Sequence, residues 1–525
     1  MQTDGHLALL LHAHLPFVRH PEYEDFLEEE WLFEAIAETY LPLLKVFFQL
    51  AEEEIPFRLT MTLTPTLCGM LRDPLLQLRA VRYLERGIEI SKKEMERTAE
   101  DSRLLELACF YHSRFLEARQ LYVEKWGCDL IKAFSTLEQA GHLELITSAA
   151  THGFLPLMEA FPETMRAQIR IGIDYHLECF GNRPKGIWLP ECGYVPSIDK
   201  ILLEADLRWF VVDAHGALYG QPRPRFAIFS PYYTPHGPAF FARDRESSKQ
   251  VWSAREGYPG DSAYRDFYRD IGYDLPEGIL KGYLPHGHRR GTGIKYHRIT
   301  GTQDKDLYQR GRAIAMVHRH AQDFVENRMR QMDSLRNLLP IAPVVLSPFD
   351  AELFGHWWFE GPEFLDLVLR KSTLQKSYRL STPTEYLNRH PTLQILSPSP
   401  SSWGNNGYWE VWLNPHNSWI YPHLHMAARR MTETARQFQD KATANDERIL
   451  CQMARELLLA QSSDWAFLMK TGTARNYSTV RTKNHVLRFT RLYENLRNGV
   501  EDSSFLQECE SCDNLFPHLN WRYYL

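Results

Sequence analysis

The sequence predicts an α/β protein that begins with a parallel β/α barrel and ends with a helical domain. Short apolar runs alternate with helix-like segments from the N-terminus to about Pro391. Polar and charged residues gather directly after these runs, as they do at the carboxyl-end rim of a barrel. Beyond Pro391 the alternation stops, and segments with helical periodicity follow as far as about Arg497.

Seven apolar runs predict the strands of the barrel. Uninterrupted apolar runs are typical of strands that are buried on both faces of a parallel sheet. In chain order, with the polar residues that follow them, they are Leu7–Leu11 (His12, His14), Phe57–Leu63, Leu143–Ser148 (His152), Gly186–Leu189 (Glu191), Trp209–Val212 (Asp213), Phe240–Asp244 and Ala342–Ser347 (Asp350). Sites in such barrels lie at the rim where the strands end.

We divide the chain into a barrel over residues 1–395 and a helical domain over residues 396–525. Residues 74–140 have helical periodicity and predict a helical insertion in the barrel. Residues 219–300 form long, aromatic-rich connections that we expect to face substrate, and the basic run His286–Arg290 within them suggests a salt-bridged loop. The Gly/Asn-rich segment Ser401–Asn414 carries three tryptophans and is expected to return to the barrel mouth.

Composition argues against several classes of protein. A formal net charge of −6 provides no basic field for nucleic acid, and no apolar run at the N-terminus is long enough for a signal peptide or a membrane span. The eight cysteines show no dense framework, which predicts a reduced, cytoplasmic protein. Cys509 and Cys512 have metal-ligand spacing but lack a second pair, so no metal or other cofactor is predicted.

Two acidic residues, Glu191 and Asp350, follow buried strands in matching positions beside aromatic residues. Pro190 cannot continue a central strand, and Gly193 is expected to allow the sharp turn that presents Glu191. Paired carboxylates in an aromatic cleft suit glycosidic bond chemistry, in which one attacks the anomeric carbon and the other protonates the leaving oxygen. An apolar setting would keep the acid protonated near neutral pH. No phosphate loop, dinucleotide fingerprint or nucleophile elbow stands at these positions.

The chain resembles glycoside hydrolase family 57 in five blocks that fall in the order of the family's signature regions. The blocks are His12–Pro16, Ala150–Phe154, Trp188–Tyr194, Asp350–Trp357 and Ser402–Asn414. The resemblance runs from about residue 5 to about residue 500, and the third and fourth blocks are the most specific. Within the family the chain is most similar to the 1,4-α-glucan branching enzymes, in its length, its helical C-terminus and the segments Val251–Ser253 and Gly257–Asp261.

The resemblance implies a distorted (β/α)7 barrel and a retaining mechanism without a metal, with Glu191 as nucleophile and Asp350 as general acid/base. Retention predicts carboxyl groups ~5–5.5 Å apart. The implied substrate-binding residues are His12, His14, Trp31, His152, Trp188, Tyr233, Arg243, Trp252, His356, Trp403, Trp412 and Asp464. A loop tyrosine that screens the intermediate from water is implied near residues 230–240, where Tyr232, Tyr233 and His236 are all candidates.

The main hypothesis is a branching enzyme that acts on an amylose- or glycogen-like α-1,4-glucan as a monomer or small homo-oligomer, without nucleic-acid or membrane partners. Hydrolysis or 4-α-glucan transfer on the same site is the first alternative. A zinc-dependent carbohydrate enzyme using His12 and His14 is more distant, because such sites normally place an aspartate where this chain has Ala13. A non-catalytic glucan-binding protein is the last alternative.

Overall fold

The barrel is a mostly parallel sheet in a computed structural model that describes residues 5–252, 256–284 and 289–525. Strands β1 to β9 are Gly5–Ala13, Leu59–Leu63, Leu143–Ser148, Gly186–Trp188, Trp209–Val212, Tyr232–Tyr233, Ala239–Ala242, Val344–Asp350 and Tyr378–Leu380. Seven parallel strands follow the order β8-β1-β2-β3-β4-β5-β7, and a bridge between Arg243 and Leu346 brings β7 back to β8. This closure confirms the predicted distorted (β/α)7 barrel.

Two further strands extend this sheet. β6 pairs antiparallel with β7, where Tyr232 lies opposite Phe240 and Tyr233 opposite Ala239. β9 runs parallel to the first residues of β1, before β1 reaches its partner β2. The hairpin of β6 and β7 therefore lies at the amino end of the parallel strands, away from the carboxyl-end rim.

Helices cover the sheet on its outside. Helices α1 to α15 are Glu30–Ala35, Leu41–Glu52, Pro65–Arg72, Pro74–Arg97, Ser102–Arg119, Leu130–Gln139, Pro162–Phe180, Ile198–Glu204, Ala214–Leu218, Arg245–Trp252, Ile271–Asp274, Glu277–Leu280, Arg310–Leu338, Gly361–Leu374 and Pro383–Arg389. The C-terminal helices α16 to α20 are Ile420–Phe438, Ala444–Ala460, Ser463–Thr471, Arg475–Asn498 and Ser503–Cys512. In the ranges that the structure describes, no helix is both long enough and apolar enough to cross a membrane.

The helix that follows β2 shows how local sequence prepares the rim. Thr64 has extended backbone angles, and its side chain accepts a hydrogen bond from the Leu67 N–H, which makes it the N-cap of α3. Pro65 fits the first position of the helix, where no N–H is needed. β2 therefore ends at Leu63, and Thr64 is fixed at the rim beside the end of β1 by its N–H, which donates to the Ala13 carbonyl.

The C-terminal helices enclose a buried charge cluster. His485 Nδ1 lies 2.7 Å from Glu456 Oε2, and Asp513 receives the guanidinium groups of Arg481 and Arg488. Burial alone would raise the pKa of Asp513, but the charges of His485 and the two arginines hold it at about 2. A charge buried in this way is stable only while its partners are present.

Two sequence expectations fall partly on residues outside the described ranges. Ser253 of the segment Val251–Ser253 lies outside them, as do His286 and His288 of the basic run. The described end of that run fits a salt-bridged loop, since Arg290 pairs with Asp25 at 2.7 Å and with Glu30 at 3.0 Å.

Candidate active site

The ends of the parallel strands bring the predicted acids and histidines to one rim. His12, near the end of β1, is in register with Asp350, the last residue of β8. Ser148 at the end of β3 is in register with Trp188, the last residue of β4, and Glu191 follows three residues later. Going round the rim, the order is therefore Asp350, His12, His152 and Glu191.

The turn that presents Glu191 differs from the expectation. Glu191 and Cys192 themselves adopt left-handed backbone angles, with φ of 61° and 51°, whereas Gly193 has an ordinary φ of −70°. The prediction that Gly193 provides the turn is therefore wrong. Gly193 is needed for close packing, because a Cβ there would lie 2.7 Å from the Phe154 ring. Left-handed angles in residues other than glycine cost about 1–3 kcal/mol each and are typical of functional sites.

Both carboxylate oxygens of Glu191 accept hydrogen bonds from the C-terminal part of the chain. The Trp403 indole N–H donates to Oε2 at 2.8 Å, and the Ser463 hydroxyl donates to Oε1 at 3.1 Å. Burial raises the pKa of Glu191 to about 7; the Trp403 hydrogen bond opposes this rise, while the charges of Asp464 and Asp350 add to it. Glu191 thus titrates near neutral pH.

A chain of hydrogen bonds leads from the histidines to Glu191. His12 Nε2 lies 3.1 Å from His152 Nε2, and His152 Nδ1 lies 3.0 Å from the Ser463 hydroxyl. Since Ser463 donates to Glu191, its oxygen accepts from His152 Nδ1–H, and His152 Nε2 in turn accepts from His12. Burial holds the pKa of both histidines well below the usual value, so both rings are neutral. Each N–H or O–H in this series of hydrogen bonds is therefore directed toward Glu191.

His14 and Asp464 form an ion pair beside this chain. His14 Nε2 lies 2.9 Å from Asp464 Oδ2, and Nδ1 lies 3.0 Å from the Thr64 hydroxyl. Burial acts to lower the pKa of His14, but the Asp464 carboxylate overcomes it and raises that pKa. The pKa of Asp464 is about 2, because His14 outweighs the opposing effect of burial.

The same residues raise the question of a metal. His14, His152 and Asp464 offer ligand atoms that all lie within 4.8 Å of one another. However, His14 Nε2 is already bonded to Asp464, and both nitrogens of His152 have partners. A cation would have to displace these hydrogen bonds, so the arrangement fits an ion pair better than a metal site.

Asp350 and a second acid, Glu352, occupy the opposite side of the rim. Asp350 Oδ2 accepts from the Trp252 indole at 3.2 Å. Its pKa is raised by burial, against the effects of the Trp252 hydrogen bond and the Arg243 charge. Glu352 Oε1 accepts from the Tyr40 hydroxyl at 2.5 Å and from a backbone N–H at 3.2 Å, and burial raises its pKa to about 7.

Comparisons with known proteins match most of the chain to one family. The model of glycosyl hydrolase family 57 matches residues 8–298, and the model of the 1,4-alpha-glucan branching enzyme C-terminal region matches residues 423–524. Over 98% of its length, the chain is 34% identical to a 1,4-alpha-glucan branching enzyme of Thermococcus kodakarensis, of which it covers 77%. The chain belongs to glycoside hydrolase family 57.

Two solved structures resemble the whole chain. A GH57-type branching enzyme from Pyrococcus horikoshii has a TM-score of 0.89 and 33% identity, over 99% of this chain and 97% of the other. The alpha-amylase AmyC from Thermotoga maritima has a TM-score of 0.93 and 42% identity, over 99% of both chains. One of these relatives is named a branching enzyme, and the other is named an alpha-amylase.

In this family 57 chain, Trp188 and Trp412 support the rim from behind. Trp188 is fully buried and stacks on His12 with ring centroids 4.8 Å apart. Trp412 is 1% exposed and stacks on Phe154 at 4.3 Å. Neither ring faces open space, so the structure does not support the prediction that they bind substrate. Instead, Trp188 packs against His12, and Trp412 anchors the segment Ser401–Asn414, which we call the Trp-rich loop.

The prediction that Tyr233 binds substrate is wrong. Tyr233 lies on β6, opposite the first residue of β7, and its hydroxyl donates to the Pro391 carbonyl at 3.2 Å. It is therefore at the amino end of the barrel. The neighbouring Tyr232 is buried in the same hairpin, with its hydroxyl on the Ala227 carbonyl, and His236 lies in the turn between β6 and β7. None of the three residues covers the acids.

The remaining predicted residues take different positions. Trp252 is 54% exposed, and the Arg243 guanidinium lies 5.5 Å from the centre of the Trp403 ring. Trp31 is partly buried in α1, with its ring edge-on to Tyr477. His356 is bonded through Nδ1 to Glu38 at 2.7 Å rather than to Glu191 or Asp350.

Three residues in the site were absent from the predicted set: Tyr40, Glu352 and Ser463. Glu352 carried a local signal, because it stands two residues after Asp350 within a recognised block. Ser463 carried none, since it meets Glu191 only through a contact that spans 272 residues.

Proposed function

We propose that this family 57 chain is a 1,4-α-glucan branching enzyme, which cleaves an α-1,4 bond and transfers the released chain to a 6-hydroxyl. One observation carries the proposal. Helix α18 lies within residues 423–524, which match the branching-enzyme C-terminal model, and its first residues bond to the site. Ser463 donates to Glu191, and Asp464 holds His14. Near full-length similarity to branching enzymes supports the same conclusion.

In the first step, the Glu191 carboxylate attacks the anomeric carbon while Asp350 gives its proton to the leaving glycosidic oxygen. The products are a glycosyl ester on Glu191 and a shortened glucan with a free 4-hydroxyl. In the second step, the Asp350 carboxylate takes the proton of an acceptor 6-hydroxyl, whose oxygen attacks the anomeric carbon and releases Glu191. Two inversions retain the α configuration, and the expected carboxyl separation stays ~5–5.5 Å.

Hydrolysis is the second candidate, and the name of the Thermotoga maritima relative favours it. The same glycosyl ester yields either product, depending on whether water or a sugar hydroxyl reaches it. The decisive assay incubates the chain with amylose, then treats the product with a debranching enzyme and counts released chains against reducing ends. New α-1,6 branches support transfer, whereas reducing ends without branches would overturn the branching assignment.

A matched variant separates catalysis from binding. Glu191→Gln keeps the size and hydrogen-bonding capacity of the side chain but cannot act as nucleophile. It is expected to abolish both transfer and hydrolysis while α-glucan binding persists. Full retention of activity would favour a non-catalytic role for Glu191. Loss of wild-type activity on chelation would revive the zinc alternative.

The proposal includes the setting of the enzyme. The last strand ends at Leu380, which supports a division into a barrel over residues 1–395 and a helical domain over 396–525. Eight free cysteines are consistent with a reducing, cytoplasmic environment, and a net charge of −6 argues against a nucleic-acid partner. A monomer or small homo-oligomer is the expected state, which sedimentation velocity would measure.

A further inference from the structure

A cavity of about 670 Å³ opens beside the two catalytic acids. Its wall includes Trp252 and Trp403, the indoles that donate to Asp350 and Glu191. The far wall is formed by Tyr219, which follows α9, and by Tyr408 of the Trp-rich loop. We call this cavity the Tyr219–Tyr408 pocket.

Exposed aromatic rings line the pocket on several sides. Tyr219 is 57% exposed, Trp252 54% and Tyr408 46%. Large aromatic side chains exposed together around one concavity mark a ligand-binding groove rather than ordinary surface. A tyrosine ring presents a flat apolar face together with a hydroxyl, which suits a sugar ring that has apolar faces and polar edges.

A charged network holds the wall of the pocket in place. His215 Nδ1 lies 3.0 Å from Asp213 Oδ1, and Nε2 lies 2.8 Å from the Gly407 carbonyl oxygen. Both partners are acceptors, and the Asp213 hydrogen bond raises the pKa of His215, which favours the protonated ring that donates from both nitrogens. The network joins the start of α9 to the loop that carries Tyr408. Gly407 is essential to this contact, since a Cβ there would lie 2.7 Å from the His215 ring.

Hydrogen-bond donors remain at the mouth of the pocket. Arg245 contacts Asp213 through Nη2 at 3.2 Å, and its side chain is 64% exposed. A guanidinium has five N–H donors, so most of them stay available to sugar hydroxyls. Lys249 also lines the pocket but is paired with Glu256. The pocket thus combines aromatic faces with positioned polar groups, the composition of a carbohydrate site.

We propose that the Tyr219–Tyr408 pocket is an additional glucan-binding subsite, which holds further glucose units of the chain beyond the scissile bond. Tyr219 and Tyr408 provide the stacking faces, and Arg245 binds hydroxyl groups. The inference rests on the proposed function in that it takes α-glucan as the substrate. It assigns the pocket a role in selecting the length of the chain that is bound.

The test measures binding in the Glu191→Gln background by titration calorimetry with maltotriose and maltoheptaose. The parent is expected to bind the longer oligosaccharide more tightly. Tyr219→Ala combined with Tyr408→Ala should weaken maltoheptaose binding by about tenfold, as expected for lost aromatic contact, and maltotriose binding much less. Tyr273→Ala is the control, because Tyr273 is 55% exposed and is not among the residues lining this pocket.

Equal affinities of parent and double variant for maltoheptaose would overturn the inference. Arg245→Gln, which leaves both rings in place, tests the same pocket if the double variant unfolds, and it too should weaken maltoheptaose binding. Failure of the proposed function is seen separately, as the absence of branches from amylose with the wild-type chain. In that case a length-dependent loss of binding would still identify the pocket as a glucan subsite.

Discussion

Replacing Trp403 with phenylalanine isolates the effect of one hydrogen bond on the nucleophile. The variant keeps an aromatic ring at the rim but removes the N–H that Glu191 Oε2 accepts at 2.8 Å. A hydrogen bond to a charged group contributes about 1.5–3 kcal/mol, and one pKa unit corresponds to about 1.4 kcal/mol. The pKa of Glu191, about 7 in the parent, is therefore expected to rise by ~1–2 units.

The expected loss of rate follows from the fraction of Glu191 that is ionised. At pH 7 that fraction is about one half for a pKa of 7, and it falls to roughly 1–10% for a pKa of 8–9. Because only the carboxylate attacks, kcat/KM at pH 7 should fall roughly 5- to 50-fold. The acidic limb of the pH profile should move upward by the same ~1–2 units, so part of the activity returns at higher pH.

The assay is the pH dependence of kcat/KM for transfer on amylose, measured for the parent, Trp403→Phe and Trp409→Phe. Trp409 lies in the same loop with its ring 5.3 Å from Phe154, and among the described contacts it makes none with Glu191. Its variant should leave the acidic limb in place. If Trp403→Phe lowers activity equally at every pH, the indole N–H does not control the charge of Glu191, and the reasoning fails.

Three further substitutions test other parts of the structure. Ser463→Ala should shift the same pH limb upward, but by less than Trp403→Phe, because His152 Nδ1 already lies 3.8 Å from the carboxylate and can approach it. Asp513→Asn should lower the thermal unfolding temperature, since breaking a buried ion group costs about 3–5 kcal/mol. The folded pKa of Asp513, about 2 against an ordinary 3.8, means that its stabilisation is present above pH ~4 and lost as the pH falls toward 2; the variant should lack this acid dependence in pH-dependent melting curves. Gly407→Ala should disturb the His215 contact, where φ is +80°, and weaken maltoheptaose binding in calorimetry.

The residues that meet at the rim were predictable because their position depends on strand direction more than on the packing of individual side chains. Once β4 and β8 are parallel strands of one barrel, the residues after them must meet at the same edge, as Glu191 and Asp350 do. The apolar runs contained enough information for this step. The presence of the barrel and the positions of the rim histidines therefore followed from local patterns.

Other features depend on contacts that local sequence does not encode. After α9 the chain returns to the amino end of the barrel and forms the hairpin of β6 and β7, so Tyr233 lies far from the rim. A short aromatic strand and a substrate loop have the same composition, which explains the error. Trp412 looked like a cleft residue because the loop around it is rich in glycine and asparagine, yet its ring packs on Phe154.

The two proposed catalytic acids, Glu191 and Asp350, differ less in burial than in the hydrogen-bond donors that reach them. Burial raises the pKa of both, but Glu191 accepts two side-chain hydrogen bonds, whereas Asp350 accepts one from Trp252. These hydrogen bonds favour the anion of Glu191 and oppose the effect of burial, although the pKa of Glu191 still reaches about 7. The interaction between the two charges is reciprocal, so protonation of Asp350 removes one cause of the raised pKa of Glu191.

The same coupling gives Asp350 its second role. In the proposed reaction the charge of Glu191 is lost when the glycosyl ester forms, and the field that opposes ionisation of Asp350 weakens. Asp350, having just given its proton to the leaving group, then remains a carboxylate and accepts the proton of the acceptor 6-hydroxyl. Hydrogen bonds from Trp403 and Ser463 again favour the Glu191 carboxylate as the ester breaks. In the proposed reaction, Trp403 and Ser463 would thus favour the Glu191 carboxylate both before the ester forms and after it breaks.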